Sequence, residues 1–233
     1  MKPTTTNVIR WAGLAAIAAG SLFIGIQAIH PIDVLESVTT GRWEIVHFMG
    51  VAMCLFSLAG ITGIYARQVE EAGWLGLAGF VVAGLFWALT MCFQFIEAFM
   101  SPVLATAAPK FVEGFLGIIT GHGGEIDLGL LPAVYSVTGI LYIASGLLFG
   151  IATFRAGVLP RWAGALLAFA AVAPLASPLV GHPFDRLFAV PMGAALIWLG
   201  YAVWAGGRKE AAQGAAQGAA GKGGAQLSRA AAE

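Results

Sequence analysis

Four polar side chains stand at the ends of two neighbouring apolar stretches, the second and third of the chain, and could carry chemistry there. Glu44 precedes the second stretch and His47 lies in its first turn, whereas Gln94 lies near the end of the third and Glu97 follows it. Residues three apart share a helix face, so each pair points the same way. If the two stretches form an antiparallel hairpin, all four groups lie at one level. Ionisable groups in apolar helices are costly and are candidates for function.

A carboxylate and an imidazole at one level support three kinds of chemistry. His47 and Glu97 could bind a divalent metal, completed by Glu44 or by a loop residue such as His122. They could act as an acid/base pair on a substrate, or relay protons for a transported solute. The alternative is a His–Glu pair that only stabilises the helices near the lipid headgroups, where water is close. The sequence does not choose among these, so catalytic residues and cofactors stay unassigned.

The lengths of the two helices indicate which side chains meet. Counted from the turn between the helices, Glu97 and His47 differ in height by about 6 Å at 1.5 Å per residue, which side-chain reach and tilt can close. Glu44 lies one turn beyond His47 and nearly level with Glu97. We therefore expect Glu97 to contact His47 or Glu44, and Glu97→Gln to disturb folding or binding more than a change at Glu113.

Polar positions on three central helices recur at spacings of three and four, which places each set on one helix face. Three such faces predict a polar cleft, and its ligand-binding candidates are Glu44, His47, Gln94, Glu97 and Tyr135. The alternative is that the hydroxyls hold the bundle together, at about 0.6 kcal/mol per hydrogen bond between helices. The remaining positions on these faces are Gly50, Cys54, Ser57, Trp87, Thr90, Thr138, Tyr142 and Ser145.

The amino-acid composition indicates a protein that lies in a membrane. Of its 233 residues, 59% are hydrophobic and only 10% are charged, whereas a soluble domain carries about 25% charged residues. The fold class is therefore an all-α, polytopic transmembrane helix bundle, with the lipid bilayer as its first partner. Its 32 glycines suit close helix packing, either within the chain, with another protein or in a homo-oligomer. The net charge of zero gives no indication of a nucleic-acid partner.

Six apolar stretches have about the 20 residues that a helix needs to cross a bilayer. The predicted spans are residues 11–29, 45–66, 73–96, 128–154, 162–180 and 187–204. They form a transmembrane domain over 1–206, and 207–233 is a low-complexity cytoplasmic tail.

Two further features lie in the longest connection between spans and at the facing ends of the last two spans. Residues 110–119 have the spacing of a short amphipathic helix lying on the membrane. Pro174, Pro178 and Pro191 predict that the fifth and sixth spans are kinked at their facing ends.

Lys and Arg residues predict the orientation, because they are enriched in cytoplasmic loops. Nine lie on one side of the six spans and three on the other. Both termini are therefore expected in the cytoplasm, and the protein in the cell membrane as a multi-pass protein. This topology places all four histidines on the outer side, namely His30, His47, His122 and His182.

Four segments resemble stretches of small, uncharacterised bacterial membrane proteins that cross the membrane six times. They are residues 46–47, residues 64–73, residues 97–99 with Pro102, and residues 157–162. The resemblance extends over most of residues 10–205. It implies the same architecture and no assigned activity.

The favoured function is an integral membrane protein that binds or transports a small solute or lipid headgroup through an outward-facing polar pocket. A transporter needs access from both faces, and the polar positions fade toward the cytoplasmic side. One alternative is a membrane enzyme that uses acid/base or metal-assisted chemistry on a lipid-like substrate. Another is a structural subunit of a membrane complex. Whether the helices enclose a cavity at the level of Glu97 discriminates among these.

Overall fold

A computed structural model of the chain describes residues 4–121, 124–180 and 184–207, and no strand occurs in these ranges. The helices within them are α1 (Thr5–Ile29), α2 (Leu35–Val38), α3 (Gly41–Ala66), α4 (Val69–Phe95), α5 (Ser101–Ala107), α6 (Pro109–Thr120), α7 (Leu131–Ala156), α8 (Arg161–Val172) and α9 (residues 190–207). A π-helical turn joins α4 to α5, and 3-10 turns follow α8 and precede α9.

Six helical segments are long and apolar enough to cross a membrane. They are Thr5–Ile29, Gly41–Ala66, Val69–Ala107, Leu131–Ala156, Arg161–Leu179 and Arg186–Gly207. The predicted all-α class with six candidate spans is therefore confirmed for the described part of the chain. The predicted tail falls almost wholly on residues 208–233, outside the described residues.

Neighbouring helices pack against each other in an antiparallel order. Contacts join α1 to α3, α3 to α4, α4 to α7 and α7 to α8. The turns after α3 and α7 lie at one end of the bundle, which we call the hairpin end. The opposite end, where α1 finishes and α3 begins, is called the cavity end.

Glycines let α9 close the bundle against α1. A Cβ added at Gly13 would lie 2.8 Å from the carbonyl oxygen of Gly200, and one added at Gly193 would lie 2.6 Å from that of Gly20. The two backbones therefore touch at two levels, which only small residues permit. We call these four glycines the glycine seam.

Pro174 and Pro178 distort the fifth span where the sequence predicts it, whereas Pro191 lies in the first turn of α9, which continues as α-helix to residue 207. The α-helical geometry of α8 ends at Val172, and a 3-10 segment, Ala173–Leu179, contains Pro174 and Pro178. Proline lacks the amide hydrogen that continues an α-helix, so the tighter turn replaces it.

The predicted surface helix forms as α6, but protein covers its apolar face. Phe115 is fully buried and stacks on Phe93 of α4, with ring centroids 6.1 Å apart. Val112 and Leu116 pack against Trp43 at the start of α3. The expectation that this helix lies on the membrane by its apolar face is therefore wrong. Instead, α6 caps the cavity end of the bundle.

Candidate functional site

The structure brings together two of the side chains that the sequence indicates. The Nε2 atom of His47 lies 3.6 Å from the Oε2 atom of Glu97, and both residues are almost completely buried. The predicted contact between α3 and the end of α4 is thus present. These two residues, together with Trp43 and Gln94, are called the polar cluster below.

A π-helical turn positions Glu97. In this turn, Ile96–Met100, the amide of Ser101 donates to the carbonyl of Ile96, five residues back. In that register the carbonyl of Glu97 would need the amide hydrogen of Pro102, which does not exist. The indole of Trp43 supplies the missing donor, with its Nε1 atom 2.9 Å from the Glu97 carbonyl oxygen. Such turns are rare and occur frequently at functional sites.

Gln94 holds the carboxylate from the same helix. Its Nε2 atom donates to Oε2 of Glu97 at 2.7 Å. The side chain of Gln94 lies over Gly50 of α3, where an added Cβ would overlap its amide oxygen. A glycine at position 50 is therefore required for this conformation of Gln94.

The hydrogen bonds of His47 determine where its protons lie. Its Nδ1 atom is 2.8 Å from the carbonyl oxygen of Trp43. Because a carbonyl only accepts, Nδ1 carries a hydrogen. The other ring nitrogen, Nε2, is buried without a hydrogen-bond partner and faces the Glu97 carboxylate beyond hydrogen-bond distance.

Glu97 and Gln94 form part of the wall of a cavity of about 750 Å³ at the cavity end of the bundle. Aromatic rings make up much of the remaining wall, namely Phe23, Phe86, Trp87, Phe93, Tyr135, Tyr142 and Phe188. Thr90 and Thr138 add hydroxyls, and Pro174 belongs to the distorted end of α8. This volume is typical of sites for small organic ligands, which span about 300–1,000 Å³.

The cavity is also open on one side of the bundle. Ile140 of α7 and Leu175 of the 3-10 segment after α8 line it, and they are 65% and 66% exposed. In a bilayer this side would face the acyl chains. This side of the cavity is therefore bordered by apolar side chains rather than by polar ones.

His30, Asp33 and Arg186 line both the cavity and an adjoining one of about 590 Å³, and we call them the mouth residues. Arg186 donates through Nη2 to the carbonyl oxygen of Pro31 at 3.3 Å. Burial lowers the pKa of His30, against the smaller opposing effects of its hydrogen bond to the Pro31 carbonyl and of Asp33. His30 is therefore neutral at neutral pH.

The other candidates occupy different environments. Tyr135 lies in the cavity wall, with its ring edge-on to Phe93 at 5.3 Å. Glu44 is exposed and lines neither cavity. His47 also lines neither, so Glu97 separates it from the space that a ligand would fill.

Metal binding by these residues receives no support from the geometry of the described part of the chain. Within it, no group of three or more His, Cys, Asp or Glu side chains is placed to hold a metal ion. His122, the proposed additional ligand, lies outside the described residues. What the polar cluster offers is one carboxylate at a cavity wall, backed by one imidazole.

Two residues of the site, Trp43 and Gln27, are not among the candidates that the sequence indicates. Trp43 stands next to Glu44 in the polar start of α3, but nothing in the sequence says that its indole reaches the end of α4. Gln27, in the last turn of α1, also lines the cavity. An amide in an otherwise apolar stretch was a signal for it.

Comparison with protein-family models, with curated proteins and with solved structures gave no match for this chain. The resemblance to a bacterial family of membrane proteins therefore stays a prediction.

Proposed function

We propose that this protein is a multi-pass membrane protein that binds a small amphipathic solute in the cavity at the level of Glu97. The observation that carries the proposal is the cavity itself, with a buried carboxylate in a wall otherwise rich in aromatic rings. Few convergent polar groups in a largely apolar pocket are the usual pattern of a ligand site. The polar part of the ligand would lie at Glu97 and Gln94, and its apolar part against Trp87 and Tyr142.

The proposed orientation places the cavity on the outer side of the cell membrane. Arg10, Arg67, Arg155 and Arg161 belong to the hairpin end, and the positive-inside rule favours that end in the cytoplasm. Both termini would then be cytoplasmic. Reporter fusions test this: at Gly157 the reporter should read cytoplasmic, and at Thr39 external, whereas the reverse would overturn the orientation.

Binding is favoured over transport and over catalysis. Toward the hairpin end, Ile64, Phe149 and Leu196 line a void of only about 20 Å³, which is too small to continue the cavity through this part of the described bundle. For catalysis, an acid/base pair would need both groups at the substrate, and His47 lies behind Glu97. The proposed role is therefore capture or sensing of a solute from the outer face or outer leaflet.

The experiment is a binding titration in lipid nanodiscs, with empty nanodiscs as the blank. Three probes of one shape are used: 4-phenylbutylamine, 4-phenylbutanol and 4-phenylbutyrate. We expect at least one to bind saturably. Thr138→Trp, which fills the cavity, should abolish that binding, and Val137→Trp, on the adjacent exposed face, should not. Failure of all three probes, or equal binding to both variants, would overturn the proposal.

A further inference from the structure

The charge and the proton content of the polar cluster indicate which class of solute the cavity takes. Resting on the proposed binding function, we propose that the ligand is a hydrophobic organic cation, and that it displaces a proton held between Glu97 and His47. Three observations carry this: the charges of the cavity wall, its aromatic rings and the hydrogen-bond geometry of His47.

The charges of the wall favour a cation. Glu97 and Asp33 contribute two carboxyl groups, of which Glu97 becomes an unpaired carboxylate once the proton it shares with His47 leaves. Arg186 is the one permanently positive side chain among the described lining residues. The guanidinium of Arg186 already donates to the Pro31 carbonyl at the mouth. Because His30 is neutral, it adds no positive charge.

The rings of the wall favour an organic cation over an inorganic one. Trp87 and Thr90 continue inward from Gln94 and Glu97 along α4, and the rings of Phe86 and Tyr142 pack edge to face at 5.3 Å beside them. Aromatic faces attract a cation with an organic body through cation–π contacts and give little to a small hydrated ion. The side opening at Ile140 suits entry of an apolar body.

The geometry of His47 requires a proton between it and Glu97. Since Nδ1 donates to the Trp43 carbonyl, a neutral His47 presents the lone pair of Nε2 to the carboxylate oxygen 3.6 Å away. Two buried acceptors would then face each other, which is costly. One additional proton, on either Oε2 or Nε2, removes the conflict and makes the pair neutral overall.

Cation binding releases this proton. Before binding, Glu97 and His47 share it. After binding, the Glu97 carboxylate pairs with the cation, whose positive charge replaces the proton and offsets the cost of leaving Nε2 opposite the carboxylate. His47 then keeps only its Nδ1 hydrogen, and the shared proton passes to water. A permanent cation therefore exchanges for one proton. Linkage then requires affinity to rise with pH, by up to about tenfold per pH unit while the pair holds its proton.

The titratable groups around Glu97 come from each element that surrounds it. His47 faces it from α3, where the buried thiol of Cys54 also interacts with it electrostatically, and Tyr135 lines the same cavity from α7. The mouth residues lie on the segments that follow α1 and precede α9. From α6, Lys110 and Glu113 are exposed and point away from the cavity. Among these described groups, only His47 is in direct contact with the Glu97 carboxylate.

The test uses two probes of nearly identical shape and opposite charge, tetraphenylphosphonium and tetraphenylborate, on the intact protein in nanodiscs. We expect saturable binding of tetraphenylphosphonium, release of about one proton per cation in weak buffer, and affinity that rises with pH. Tetraphenylborate should show no saturable binding above empty nanodiscs. Equal affinity for the two probes, or cation binding without proton release, would overturn the inference.

Variants assign the effect to Glu97. Glu97→Gln should lower cation affinity at least tenfold and remove its pH dependence, whereas Glu44→Gln, an exposed carboxylate on α3, should change neither. If Glu97→Gln does not fold, Glu97→Asp serves instead: it keeps the charge and should keep proton release at reduced affinity. Unchanged pH dependence in Glu97→Gln, or loss of proton release in a folded Glu97→Asp, would contradict the assignment.

The outcomes separate this inference from the proposed function. If 4-phenylbutanol or 4-phenylbutyrate binds and Thr138→Trp blocks it, while no cation binds better, the cavity is a ligand site and the cation inference is wrong. If no probe of any charge binds, the cavity is not a ligand site, and both the proposed function and the cation inference are wrong.

Discussion

The glycine seam between α1 and α9 and the polar cluster between α3 and α4 join helices in opposite ways. At the seam, backbone meets backbone: a Cβ added at Gly200 would lie 2.6 Å from the carbonyl oxygen of Gly13. At the polar cluster, four long side chains fill the interface and hydrogen-bond to each other and to the backbone. Both are buried, but only the cluster leaves a polar atom, Nε2 of His47, without a partner.

This difference separates packing from function. Small residues alone give close van der Waals contact, which is what drives helix association in lipid. The polar cluster costs desolvation that a glycine seam avoids. A bundle held together only for stability would have no need of Glu97 in a cavity wall. The comparison therefore predicts that changes at the seam affect stability, and that changes at the cluster affect ligand binding as well.

The largest expected effect lies at the seam. Gly20→Val forces a branched side chain against the backbone of α9, where even a Cβ overlaps the Gly193 carbonyl. We expect a loss of about 3 kcal/mol, at the upper end of the cost of overpacking. Thermal unfolding in nanodiscs measures it. The control is Gly25→Val on the same helix, where an added Cβ meets nothing within 4 Å. Equal melting temperatures for the two variants would show that close packing of α1 on α9 at the glycine seam does not stabilise the protein.

A smaller loss of stability is expected when Trp43 is replaced. Trp43→Phe removes the indole N–H that the Glu97 carbonyl accepts, and it leaves that buried carbonyl without a donor. The cost should be about 2 kcal/mol, the usual penalty of an unpaired buried polar group with some lost packing. Trp74→Phe, which is 86% exposed, should leave thermal stability nearly unchanged. A stable Trp43→Phe protein would show that the π-helical turn needs no support from α3.

Gly50→Ala should separate binding from stability. The new methyl group displaces the Gln94 amide from its position over Gly50, and Glu97 then loses its donor. Alanine is the better helix former by about 1 kcal/mol. This gain offsets the loss of the Gln94–Glu97 hydrogen bond, so the free energy of unfolding should change little. Affinity for tetraphenylphosphonium should fall about tenfold, because the carboxylate that pairs with the cation loses a hydrogen bond worth about 1.5 kcal/mol. Gly84→Ala, where an added Cβ meets nothing within 4 Å, should behave as the parent protein. If affinity is the same in all three proteins, Gln94 does not position Glu97.

The smallest effect is expected at Ser57. Its hydroxyl is buried in α3 without a hydrogen-bond partner and lines neither cavity. Ser57→Ala removes an unpaired polar group, so stability should stay constant or rise by about 1 kcal/mol. Ligand affinity should not change. A clear loss of stability or of affinity would mean that the polar face of α3 acts as a unit beyond His47.

The contact between His47 and Glu97 could be predicted because it follows from helix length and period alone. The number of spans and the distortion at Pro174 follow from equally local rules. The exposure of Glu44 could not be predicted in the same way. Three residues correspond to about 300° of rotation around a helix, so the Glu44 side chain points about 60° away from that of His47, which is enough to expose it.

The π-helical turn at Glu97 and the packing of α6 over the cavity end could not be predicted from local sequence. The turn depends on Pro102 and on a donor from Trp43, which is 54 residues before Glu97. The apolar spacing of α6 fits a membrane surface as well as a protein surface. Only the packing of Phe115 on Phe93 decides between them.

The most direct test of the account is whether water reaches the cavity from the outer side. Thr138→Cys places a thiol in the cavity wall and Val137→Cys places one on the adjacent exposed face, in a background with Cys54 and Cys92 replaced. A membrane-impermeant thiol reagent reacts with thiolate, which forms in water and not in lipid. In right-side-out vesicles, Thr138→Cys should react much faster than Val137→Cys, and tetraphenylphosphonium should slow it. If Thr138→Cys reacts no faster than Val137→Cys, there is no outward-facing hydrated cavity and the account is wrong.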